Sequence, residues 1–143
     1  MTLLPDTPLF PTGQDHYKDW QGLSDGSLAA VLAEVARAAD GPLLVAAPDS
    51  SRAQQLADAL GFYVAGIPVA GTPGSTGEVP VMLFPDWETL PYDLFSPHQD
   101  IVSDRIRVLN WLHGATTGVL VVPVNTLMQR IAPPLHISGN SFM

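Results

Sequence analysis

Apolar residues change their spacing several times along this 143-residue chain, and each change marks an element. From Ser27 onward, Leu28, Val31, Leu32 and Val35 recur at i, i+3, i+4 and i+7, which places them on one face of a helix that Gly41 stops. The run from Pro42 to Pro48 is apolar throughout and predicts a buried strand. Asp49 or Ser50 is placed to cap a second helix, whose stripe is Ala53, Leu56, Ala57 and Leu60 and whose end is expected at Gly61. Val81 to Phe84 predicts a second strand. Helical spacing returns from Ile101 to Leu112 through Val102, Ile106 and Leu109, with His113 and Gly114 at the end. Gly118 to Val124 predicts a third strand, and Thr126 followed by Gln129 offers a capping box for a short helix that Pro133 and Pro134 end.

Strands that are apolar on both sides, separated by amphipathic helices, imply an α/β fold with a parallel sheet covered on both faces and right-handed crossovers. The expected organisation is an irregular, proline-bearing lead-in over 1–26, an α/β domain over 27–132, and the start of a following, truncated segment over 133–143. Residues 66–77, rich in Gly, Pro, Ser and Thr, predict a flexible loop. Three strands are few for a parallel sheet, so an incomplete domain is expected, with further strands needed to cover its edge.

Charge and composition narrow the function. Fourteen acidic residues against six basic ones give a formal charge of −8, and of the basic residues only Arg105 and Arg107 lie close together. Binding to nucleic acid draws on clustered cations that displace counterions, so direct DNA binding by this segment is not expected; a protein partner with a basic face suits it better. No cysteine is present, and His16, His98, His113 and His136 are too scattered to form a metal-binding pair at helical spacing, so no metal site is expected. The first residues lack the basic start and apolar stretch of a secretory signal, and no apolar run is long enough for a membrane span, so a cytoplasmic protein is expected.

Ligands of parallel sheets bind beyond the carboxyl ends of the strands, which directs attention to three places: the loop before the first helix, the loop after Phe84 and the turn at Pro123 to Thr126. The first of these, Gly22, Leu23, Ser24, Asp25, Gly26 and Ser27, fits the G-x-S-x-G pattern of a nucleophile elbow, with Ser24 as the nucleophile of an esterase. An elbow needs a strand directly before it, and Gln14 to Gln21 are not strand-like. A phosphate loop is the other reading of the same residues. The lysine that reaches the phosphates is missing, the glycines are one residue too close, and Asp25 puts a negative charge where phosphate would sit. A plain helix-capping turn is the simpler alternative.

The loop after the second strand, Pro85 to Asp100, concentrates aromatic and acidic residues around three prolines. A catalytic reading would pair its carboxylates with His98 as acid and base. A rigid loop with Asp100 or Ser96 capping the next helix, or a protein-contact surface built on the aromatics, suits the composition better.

Phe84 to Arg105, FPDWETLPYDLFSPHQDIVSDR, closely resembles a characteristic block of bacterial transcription-repair coupling factors, and Gly118 to Arg130, GVLVVPVNTLMQR, resembles a second. The resemblance marks Trp87, Glu88, Tyr92, Asp93, Phe95, His98, Gln99 and Asp100 as signature and interaction residues, and Gly22, Ser24, Asp25, Gly26 and Ser27 as a degenerate phosphate loop. It implies a three-layer RecA-like, P-loop-NTPase-like fold, similar to the first domain of the excision-repair protein UvrB but with an eroded nucleotide site and without UvrB's long DNA-probing hairpin. The implied role is a non-catalytic amino-terminal scaffold in a protein that links stalled RNA polymerase to nucleotide excision repair through UvrA, packing against the parent's other domains. ATP and magnesium would belong to motor domains this chain does not contain, so no cofactor is expected here. The alternative is an enzyme, either a cryptic nucleotide hydrolase or a Ser24 esterase.

Overall fold

The computed structural model describes residues 10, 11, 17–64, 79–87, 89, 98–131 and 133. Within them, helix α1 (Asp25–Ala38) leads to strand β1 (Leu43–Ala47), helix α2 (Ser50–Val64), strand β2 (Val81–Leu83), helix α3 (Gln99–Gly114), strand β3 (Val119–Pro123) and the single turn α4 (Val124–Leu127). The expected flexible loop over 66–77 lies outside the described residues, as do most of 1–16 and all of 134–143.

All three strands are parallel, in the order β1-β3-β2, with Leu43 opposite Val119 on one side of the central strand and Val81 opposite Val119 on the other. Because β2 follows β1 in sequence but lies beyond β3, the chain crosses the sheet outward through α2 and returns through α3. Side chains alternate along a strand, so β3 serves two cores. Val119 and Val121 face α1 and α2, where Ala29, Ala33, Ala53, Leu56, Leu60 and Val64 pack against them. Leu120 and Val122 face the other way, onto Phe84 and Val108. The result is a three-layer α/β fold of the RecA and P-loop kind, helices flanking a parallel sheet. Every residue of β3 is buried, as a central parallel strand requires.

Element boundaries differ from the sequence expectation in several places, each for a local reason. Helix α1 begins at Asp25, two residues early, because Ser24 supplies the cap and Gly22, at φ +70°, turns the chain into it. Helix α2 runs through Gly61 to Val64. An interior glycine costs about 1 kcal/mol against alanine, and burial of Leu60 and Val64 on the core-facing side outweighs that. Arg37 of α1 closes this helix end: its Nη2 donates to the Tyr63 carbonyl at 2.8 Å while Nη1 pairs with Glu34 at 3.0 Å.

Helix α3 starts at Gln99, so Asp100 lies in its first turn and His98 occupies the cap position; Ser96, the other expected cap, lies outside the described residues. Its buried face also differs: Arg105 and Val108 are buried, whereas Ile106 is 47% exposed. At α4 the expected capping box does not form, because Pro123 takes the cap position with no side-chain hydrogen bond and Thr126 is buried inside the turn. Coverage of the sheet is uneven too. On β1, Leu43, Val45 and Ala47 turn toward α2, while Leu44 on the opposite face is 56% exposed, since α3 lies over β2 and β3 rather than this edge.

Candidate functional site: the carboxyl ends of the strands

Serine 24 acts on its own helix. Its Oγ accepts from Ser27 N–H at 3.4 Å and lies 2.9 Å from Ser27 Oγ, and Ser27 Oγ in turn donates to the Ser24 carbonyl at 2.9 Å. This is an N-cap arrangement, in which side-chain oxygen satisfies a backbone donor the helix leaves free. Residues 17–20 form no strand, so nothing drives Ser24 into a strained elbow.

Asp25 pairs with Arg52 in the first turn of α2, with Arg52 Nη1 donating to Asp25 Oδ2 at 2.6 Å and Nη2 to Oδ1. The helix start that would face a phosphate thus carries its own carboxylate, and the cation nearest to it is already bound. The hydrogen bonds from Arg52, supplemented by its charge, hold the Asp25 carboxyl below its ordinary value of 3.8. Since the folded value is depressed, the pair's contribution is present above pH 3.8 and fades as pH falls through the lower folded value. We expect a carboxyl titration of Asp25 by NMR to give a midpoint below 3.8 that returns toward 3.8 in Arg52→Gln. Both groups are solvent-exposed, so the same substitution should leave the melting temperature nearly unchanged.

The other two loops singled out by the sheet rule come together. At the end of β2, the Asp86 carboxylate accepts from Trp87 N–H at 2.9 Å, from Gln129 Nε2 at 2.6 Å and from Asn125 Nδ2 at 2.7 Å, and so ties the loop after β2 to the turn after β3. Arg105 reaches the same place from α3. Its Nη1 donates to the Pro85 carbonyl at 2.6 Å, and its guanidinium stacks between two rings, 4.2 Å from the Phe84 centroid and 4.1 Å from that of Trp87. Only 3% of Arg105 is exposed. Burial lowers its pKa and the Asp86 charge partly offsets that, yet an arginine so placed stays protonated at neutral pH.

This cluster converts two sequence blocks into one unit. Phe84, Pro85, Asp86, Trp87 and Arg105 come from the first block and Asn125 and Gln129 from the second. Of the residues expected to matter here, Trp87 is in the cluster. His98 and Asp100 form a separate, exposed pair at the start of α3, and Gln99 opens that helix. His98 Nδ1 lies 3.4 Å from Asp100 N and 3.2 Å from Asp100 Oδ2; it accepts from the first only when deprotonated and donates to the second only when protonated. Glu88, Tyr92, Asp93 and Phe95 lie outside the described residues.

Arg105, Asp86, Asn125 and Gln129 were not among the site residues expected from the sequence, where Gln129 was read only as part of a capping box and Arg105 only as a neighbour of Arg107. The available signal was a cation in the helical stripe of Ile101, Val108 and Leu112, where an apolar residue is the rule. Chemically the cluster is a set of charge-assisted hydrogen bonds that ties elements together, with the buried Oε1 of Gln129 left without a partner; it offers no nucleophile and no paired acid and base. Replacing Asp86 by alanine leaves the Asn125 and Gln129 amides and the Trp87 N–H without their acceptor. Urea denaturation is expected to show a loss of about 2 kcal/mol.

Among the described residues no group of three or more His, Cys, Asp or Glu is placed to hold a metal, and no helix is long and apolar enough to cross a membrane.

No family model matches the chain. It is 40% identical over 121 residues to the transcription-repair-coupling factor of Escherichia coli K12, covering 85% of this chain and 9% of that protein. The corresponding protein of Haemophilus influenzae is 35% identical over 133 residues, 93% of this chain and 10% of the relative. That of Mycobacterium tuberculosis is 34% identical over 114 residues, 75% of this chain and 8% of the relative. The chain therefore spans about a tenth of the length of the curated relatives it matches.

Proposed function

Because the chain belongs with the transcription-repair-coupling factors over most of its own length, we propose that it is a non-catalytic amino-terminal scaffold of such a protein, working in the cytoplasm to link stalled RNA polymerase to nucleotide excision repair through UvrA. Residues 27–132 form the UvrB-like module in this reading, and translocation driven by ATP and magnesium belongs to parts of the relatives that this chain does not span.

The observation that carries the non-catalytic reading is the start of α1. A working phosphate loop needs free backbone donors, a lysine and no competing anion. Here Ser24 caps the helix, the lysine is missing, and Asp25 holds Arg52 at the same place. At the opposite side of the sheet's carboxyl end, the space after β2 and β3 is taken by the chain's own Arg105, Trp87 and Asp86. Both features suit a domain that holds neighbours in place rather than one that turns over nucleotide.

Titration calorimetry with magnesium and ATP tests this directly. No measurable heat of binding is expected at protein concentrations that would register a micromolar site. Micromolar binding that Ser24→Ala abolishes would restore the nucleotide-hydrolase reading. A capture experiment with UvrA addresses the partner: retention is expected with a full-length factor carrying this segment, and residues 1–143 alone should retain none.

A further inference from the structure

We draw no further inference here: the strongest candidate, the apolar groove of about 190 Å³ between α3, the open edge of β1 and α4, which Leu44, Leu112, Leu127 and Ile131 leave exposed, carries nothing because nothing in the structure shows what covers it.

Discussion

Replacing Arg105 by alanine is expected to lower the unfolding free energy by about 3–4 kcal/mol, the largest loss for any polar side chain described. Three contacts disappear together: the hydrogen bond to the Pro85 carbonyl and the two ring stacks on Phe84 and Trp87. The Pro85 carbonyl is left without its donor, Asp86 loses its nearby cation, and the space held by the side chain empties between two aromatic rings. Lysine should recover only part of the loss, because an ammonium cannot lie flat between two rings while donating sideways to a carbonyl. Urea denaturation of the three proteins checks the order, arginine above lysine above alanine. An alanine variant within about 0.5 kcal/mol of the parent would mean that the cost of burying the cation cancels its contacts, as happens for some buried ion pairs.

Gly118 carries the second large effect. It enters β3 at φ +130°, a conformation that residues with a Cβ rarely adopt, and its carbonyl accepts the Leu43 N–H at 2.8 Å where β1 joins the sheet. A Cβ built there would lie 2.5 Å from Trp111 Cζ2 and 3.0 Å from both Pro80 Cγ and the Pro80 carbonyl oxygen. That same oxygen accepts the Val119 N–H at 2.8 Å, so the backbone cannot retreat without weakening the pairing of β2 with β3. Gly118→Ala should therefore cost about 3 kcal/mol, combining backbone strain with overpacking. Adding Trp111→Leu removes the nearest clashing atom and so separates the ring contact from the backbone strain and the Pro80 contacts. If strain at φ and the remaining Pro80 contacts contribute as argued, Gly118→Ala will remain destabilising by about 1–2 kcal/mol in that background. Equal stability of the two Trp111→Leu proteins would assign the whole effect to the ring contact.

Gly118 lies where the chain enters the central strand, and Arg105 secures the loop that leaves β2 beside that strand's carboxyl end. A parallel strand buried on both faces has few ways to accommodate a change at its ends, since each neighbouring strand is already in register with it. β1, with Leu44 exposed on the outer face, should tolerate substitution more readily there.

The hydrophobic pattern by itself determined the element order, the parallel α/β class and the two cores. Period-3.6 spacing marks helices and short runs that are apolar throughout mark strands buried on both faces, and neither needs knowledge of neighbours. It also set the apolar stripe of α2 through Ala53, Leu56 and Leu60, and it located the two loops that meet beyond the strands. Only tertiary structure decided where those elements stop. Gly61 reads as a helix end, yet the core takes Leu60 and Val64 together and Arg37, 26 residues earlier, closes the helix at Tyr63. Helix α3 was legible as a helix but not in its rotation. Val102, Ile106 and Leu109 suggest one face, whereas the buried one includes Arg105 and Val108, because an arginine can stand in an apolar stripe once rings cover its guanidinium and a carbonyl accepts its hydrogen bond. Those rings and that carbonyl lie about 20 residues away in sequence, and Asp86 meets Gln129 from 43 residues away. A pattern of neighbours along the chain carries no record of such partners; folding the sheet brings them within hydrogen-bonding distance.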